Sequence, residues 1–100
     1  MQCDVEINGL DARIAVSGEV DAHTSPELQR CVDEAVAGGA TSLVVDVTEM
    51  TFIDSSGLRV LVQARQRAAD AGGRFGLHQP SDSVVRLLEL TGLNDLLRTT

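Results

Sequence analysis

Met50-Thr51-Phe52-Ile53-Asp54-Ser55-Ser56-Gly57-Leu58 joins a continuous apolar run, Leu43-Val44-Val45-Asp46-Val47, to a helical pattern that extends from Leu58 to about Ala71. The stretch predicts a buried strand handing over to a helix, with a pair of hydroxyls at the junction. The first N–H groups of a helix have no partner within it, and the positive end of its dipole lies there. An oxyanion is well received at such a point. Ser55 and Ser56 are therefore open to two readings: a capping pair, or a hydroxyl that takes up a phosphate.

Upstream, Cys3, Val5 and Ile7 alternate with Gln2, Asp4 and Glu6, which predicts a strand with one buried face. Asn8-Gly9 is a two-residue hairpin signal, since both residue types accept positive φ. Ala12, Ile14 and Val16 alternate again and predict the second strand. Thr24-Ser25-Pro26-Glu27 carries two overlapping helix starts, Thr24 with Glu27 as a capping box and Ser25 before Pro26 at the first helical position. Leu28, Cys31, Val32, Ala35 and Val36 then form one apolar stripe, stopped by Gly38-Gly39. The run at 43–47 shows no alternation and predicts a central strand covered on both faces.

Downstream, the helix after Ser55-Ser56 is expected to bury Leu58, Leu61, Val62, Ala68 and Ala69 and to expose Arg59, Gln63, Gln66, Arg67 and Asp70. Arg74 to His78 reads as a short strand. Pro80-Ser81-Asp82-Ser83 opens another helix with Val84, Leu87 and Leu88 on one face, ended by Gly92. Leu93 to Leu97 reads as a last helical turn with Leu93, Leu96 and Leu97 inward. The order is β-β-α-β-α-β-α-α: an α/β chain whose first two strands are antiparallel and whose later strands, joined by helical crossovers, are parallel. The helices lie mainly on one side of the mixed sheet, or are split unequally.

The bulk numbers narrow the function. One hundred residues read as one domain, 1–100, too short for a cofactor domain plus a substrate domain. The core is aliphatic, because Phe52 and Phe75 are the only aromatics. A formal charge of -7 argues against nucleic acid, whose binding needs clustered cations, and against an anionic membrane face. No apolar stretch has the length of a membrane span, and the N-terminus lacks the marks of a signal peptide, so the expected location is the cytoplasm. Cys3 and Cys31 form no Cys-x-x-Cys and read as small buried hydrophobes. No metal or cofactor is expected, and a monomer is, from the acidic surface.

Three stretches carry a family resemblance: Gly18-Glu19-Val20-Asp21 followed by His23-Thr24, Phe52-Ile53-Asp54-Ser55-Ser56-Gly57-Leu58, and Leu87 to Leu97 with Thr91-Gly92-Leu93 inside it. Over essentially the whole chain these resemble a STAS domain, and more closely the free-standing bacterial anti-sigma factor antagonists. The resemblance implies a STAS-like mixed sheet and a regulatory protein rather than an enzyme, with no catalytic residue. It implies phosphorylation of Ser55 by an anti-sigma factor that is itself a serine kinase, and resetting by a serine phosphatase. It also implies a partner surface made of Asp21, His23, Thr24, Asp54, Ser55, Ser56, Gly57, Leu58 and Arg59. Arg59 is a departure, standing where many relatives have a small residue. The chain also ends at Thr100, where some relatives continue, which leaves less surface for extra contacts.

Each of these residues also has a plainer role. Ser56 reads as a helix cap. Asp54 and Asp21 can each fix a loop by accepting backbone N–H groups. His23 would need a nucleophile and an orienting acid to act as a base, and no Gly-x-Ser-x-Gly elbow accompanies it. No glycine-rich phosphate loop with Lys-Ser/Thr is present, so nucleotide hydrolysis is not expected. The rival function is a constitutive STAS-like subunit of a transporter or stress-sensing complex, without a serine cycle.

Overall fold

The computed structural model of the chain describes residues 1–97, with the backbone alone for Asp95 and Leu97. The inward packing expected of Leu97 thus lies outside the described side chains. Strands β1 (Gln2–Asn8), β2 (Asp11–Val20), β3 (Ser42–Ile53) and β4 (Phe75–His78) alternate with helices α1 (Ser25–Ala37), α2 (Ser55–Asp70) and α3 (Asp82–Thr91), and a 3-10 turn follows at Asn94–Leu97. The sheet order is β1-β2-β3-β4, with β1 antiparallel to β2 and the remaining pairs parallel.

The hairpin closes one residue later than the sequence suggests. Asn8 pairs with Asp11, so Gly9 and Leu10 form the loop. Gly9 has φ 65 while Leu10 stays negative, the sign pattern of a type II′ turn, which needs glycine at its first loop position. β1 is an edge strand whose inner face is only partly covered: Cys3 and Val5 are half-buried and Ile7 is exposed. Cys3 is therefore less enclosed than expected, whereas Cys31 on α1 is fully buried, its thiol 3.6 Å from the Cys3 carbonyl oxygen.

β3 is much longer than its apolar run, and among the described residues it is covered on one face only. Leu43, Val45, Val47, Met50 and Ile53 are buried, while Val44 and Asp46 are half-exposed on the other face. Valine favours strands by shape as well as by burial, which is why the run concealed the alternation. Asp46 sits on the open face and is satisfied there by Arg13 at 2.6 Å and by the Thr48 hydroxyl at 2.6 Å. The buried positions of β3 step by two, then twice by three. Each step of three matches a place where β3 runs one residue ahead of β2, between Ala15 and Ser17 and between Gly18 and Glu19. These bulges keep the inward face inward while bending the strand toward its end at Ile53.

The helices close over that face. α1 buries Leu28, Cys31, Val32 and Ala35, with Val36 at the margin. α2 buries Gly57, Leu58, Val60, Leu61, Ala64 and Ala68. Val62 and Ala69, expected inside, lie half-exposed and exposed. The buried stripe of α2 is rotated toward Val60 and Ala64 because the helix lies between α1 and the 3-10 turn, which a one-sided pattern cannot foresee. α3, capped by the Ser81 hydroxyl and ended at Gly92 with φ 73, adds Val84 and Leu88 to the same core. Among the described residues, no helix is long and apolar enough to cross a membrane.

Candidate functional site

The site forms where β3 ends and α2 begins. Asp54, extended at φ -110 and ψ -171, is the N-cap of α2. Its carboxylate accepts the N–H of Ser56 at 2.9 Å and of Gly57 at 3.3 Å, and its carbonyl accepts the N–H of Leu58 at 3.0 Å. Capping by Asp54 corrects the reading of Ser56 as a cap. Ser55 and Ser56 are the first two helical residues, and an aspartate one step earlier supplies the oxyanion that the helix start attracts. The Ser55 side chain is exposed, and its hydroxyl makes no hydrogen bond among the described residues.

Gly57 sets how closely α2 meets the sheet. A Cβ there would lie 2.6 Å from Ile53 Cγ1 and 2.7 Å from Val20 Cγ1. The Asp54 N–H also donates to the Val20 carbonyl at 3.1 Å, so the ends of β2 and β3 are bound together beneath the serines. This places the loop after β2 beside the loop after β3.

In the first of these loops Asp21 acts as a staple. Its carboxylate accepts the N–H of His23 at 2.9 Å and of Thr24 at 3.0 Å, and the Thr24 hydroxyl lies 3.2 Å away. The Thr24 N–H, with help from the His23 N–H and the Thr24 hydroxyl, holds the Asp21 carboxyl below the usual carboxylate range. The Thr24 oxygen accepts the Asp21 N–H at 2.9 Å and lies 2.9 Å from the Glu19 carbonyl. That inward set of bonds replaces the expected capping box: the Thr24 side chain caps nothing in α1, and Ser25 and Pro26 are already helical. His23 is exposed, and its ring makes no hydrogen bond among the described residues.

Two grooves meet along the outer ridge of α2. One, of about 430 Å³, runs between α1 and α2 and is lined by Ala22, Ser25, Pro26 and Gln29 opposite Ser55, Ser56, Arg59, Val60 and Gln63. The other, about 660 Å³ and mostly apolar, is lined by Ser55, Leu58, Arg59, Val62 and Gln63 opposite Thr91 and Leu93. Ser55, Arg59 and Gln63 border both, one helical turn apart. Of the nine residues expected on a partner surface, His23, Ser55 and Arg59 are exposed. Asp21, Thr24, Asp54 and Ser56 are half-buried, and Gly57 and Leu58 are buried beneath the site. Sequence reasoning missed Pro26 and Gln29 across the first groove and Thr91 and Leu93 across the second. Gln63 had a signal, the helical spacing that continues the Ser55–Arg59 row. The others come together only in three dimensions.

The STAS domain family model matches residues 2–100. The chain is 33% identical to the anti-sigma-B factor antagonist of Listeria monocytogenes, over 97% of this chain and 88% of that protein. It is 30% identical to the anti-sigma-B factor antagonist of Bacillus subtilis, over 94% of this chain and 85% of that one. Its fold is similar to that of an anti-sigma factor antagonist from Mycobacterium paratuberculosis, with TM-score 0.82, 29% identity, and coverage of 96% of this chain and 81% of that chain. The phosphorylated form of the Bacillus cell fate determinant SpoIIAA shares the fold at TM-score 0.78 and 21% identity, covering 99% and 91% of the two chains.

Proposed function

The chain belongs to the STAS domain family, and from that premise we propose that it is an anti-sigma factor antagonist switched by phosphorylation of Ser55. Unmodified, it binds an anti-sigma factor along the α2 ridge, with the Gly18–Thr24 segment at the border of the contact, and so releases a sigma factor. The partner, a serine kinase, phosphorylates Ser55 and ends the complex; a serine phosphatase resets it. The observation that carries this reading is the Ser55 hydroxyl, exposed, without a hydrogen-bond partner among the described residues, and placed where both grooves meet.

The magnitudes suit ejection of a partner. A phosphate adds about -1.5 to -2 charge. Against a partner carboxylate about 7 Å away, each unit costs roughly 2 kcal/mol at an effective dielectric near 20. A loss of about 3 kcal/mol weakens a complex roughly a hundredfold. The domain stays folded, because Ser55 is exposed and Asp54 holds the helix start.

The deciding experiment is a pull-down from the native cell lysate with wild type and Ser55→Asp as parallel baits. An ATP-binding, kinase-like protein held by wild type and lost with Ser55→Asp is expected. Identical partners on both baits would instead mean a constitutive subunit.

A further inference from the structure

We propose that Arg59 is the counter-ion of phospho-Ser55, and that capture of Arg59 by the phosphate removes from the docking ridge the one cation that lines its two grooves among the described residues. The inference rests on the reading that Ser55 carries a phosphate. A phosphate on Ser55 finds no empty cradle at the start of α2. The Ser56 and Gly57 N–H groups donate to the Asp54 carboxylate and the Leu58 N–H to its carbonyl, so the nearest neighbour is an anion. The compensating charge has to come from a side chain.

Arg59 is the only charged side chain among the described residues lining either groove. Other arginines are engaged elsewhere: Arg13 with Asp46, Arg30 with Glu27 and Glu34, and Arg67 with Asp33. Arg59 is exposed and has no ion pair or hydrogen bond among the described residues. It follows Ser55 by four residues on α2, a spacing that brings side chains within about 5–6 Å at Cβ. Long helical side chains lean toward the N-terminus, over the preceding turn, and here that turn carries Ser55. A guanidinium can take two phosphate oxygens at once, which a point charge cannot.

The consequence is a switch with two parts. In the unmodified protein Arg59 is available to a carboxylate on the partner, and complementarity at such a charge governs encounter and specificity. After phosphorylation the same guanidinium is held in cis. The ridge changes from one positive charge to a net of about -0.5 to -1. The partner loses an attraction and gains a repulsion in one event.

The test is phosphorus NMR of protein with phosphoserine installed at position 55 by genetic encoding, so that no kinase is needed. The second phosphate pKa is about 6 when unperturbed. Wild type is expected to titrate about half a unit to one unit below Arg59→Ala, with Arg59→Lys keeping part of the shift. The gap should shrink in about 1 M salt, where screening reaches a few ångströms. Equal values for wild type and Arg59→Ala would overturn the proposal. A clear shift together with a partner indifferent to phosphorylation would keep the Ser55–Arg59 pair but overturn its role at the docking ridge along with the proposed function; equal values with the partner still lost would remove the pair and leave the proposed function standing.

Discussion

The Asp54 carboxylate accepts the Ser56 N–H at 2.9 Å, and this bond separates the structural role at the α2 start from the role of the serine before it. The cap is an aspartate, so the Ser55 hydroxyl holds nothing in place. Asp54→Ala is expected to cost about 1 kcal/mol of stability, within the range of roughly 0.5–2 kcal/mol for loss of an N-cap. Ser55→Ala and Ser56→Ala should each stay within about 0.5 kcal/mol of wild type. Urea denaturation of the three variants distinguishes them, and a Ser55→Ala loss as large as that of Asp54→Ala would refute the assignment.

Ser55→Asp should separate binding from folding. An added carboxylate on an exposed first-turn residue meets no buried surface, so the melting temperature should change by no more than about 3 °C. Affinity for the anti-sigma partner should fall by up to about a hundredfold, with Ser55→Ala close to wild type. Differential scanning fluorimetry and calorimetric titration measure the two quantities. If stability fell in step with affinity, the switch would act by unfolding.

The glycines at the two ends of α2 should differ in what they tolerate. A Cβ on Gly57 presses on Val20 Cγ1 and Ile53 Cγ1, both buried, so those side chains or α2 itself must move, an overpacking that the regained helix propensity of alanine offsets only in part. The expected net loss for Gly57→Ala is about 2 kcal/mol. A Cβ on Gly73 would lie 1.8 Å from the Thr41 carbonyl oxygen, part of the main chain leading into β3. Gly73→Ala should therefore lose about 3 kcal/mol or more. The reverse order in chemical denaturation would contradict the packing described.

Acid should weaken the fold through a few hydrogen-bonded carboxylates. The Thr24 N–H lowers the Asp21 pKa, the Thr48 hydroxyl lowers that of Asp46 with Arg13 adding to it, and Arg67 lowers that of Asp33. A depressed folded pKa means that the unfolded chain takes up protons first as pH falls. The contribution is thus complete above about pH 5 and is lost as pH drops through the unfolded value near 4 toward the lower folded one. Urea midpoints should be flat from about pH 7 to 5 as regards these groups and fall below about pH 4. Asp21→Asn should make that acid loss shallower, since the amide takes up no proton in this range while its oxygen still accepts the N–H bonds. An acid slope unchanged by the substitution would show that Asp21 carries none of it.

Much of the architecture was legible because it is written in short-range signals. Gly92 and Ser81 bound α3 where the sequence put them, and the stripe Leu28, Cys31, Val32 and Ala35 gave α1 its inner face. The errors cluster where a neighbour decides. Val44 looked like core and is half-exposed, because none of the described residues forms a layer over the second face of β3. Thr24 looked like a cap, but Asp21 and Glu19 hold its hydroxyl instead.

The strand–helix order, the aliphatic core, the family resemblance and the choice of Ser55 as the residue to examine could all be read along the chain, since each rests on residue type and spacing within short stretches, three of which carry the resemblance. Only the tertiary structure decided that Asp54 rather than a serine caps α2, that Gly57 lets the helix rest on Val20 and Ile53, and that Ser55 and Arg59 border two grooves whose far walls come from α1 and from the region after α3. A hydrogen bond or a groove wall depends on which distant segments pack side by side, and local residue patterns do not fix that.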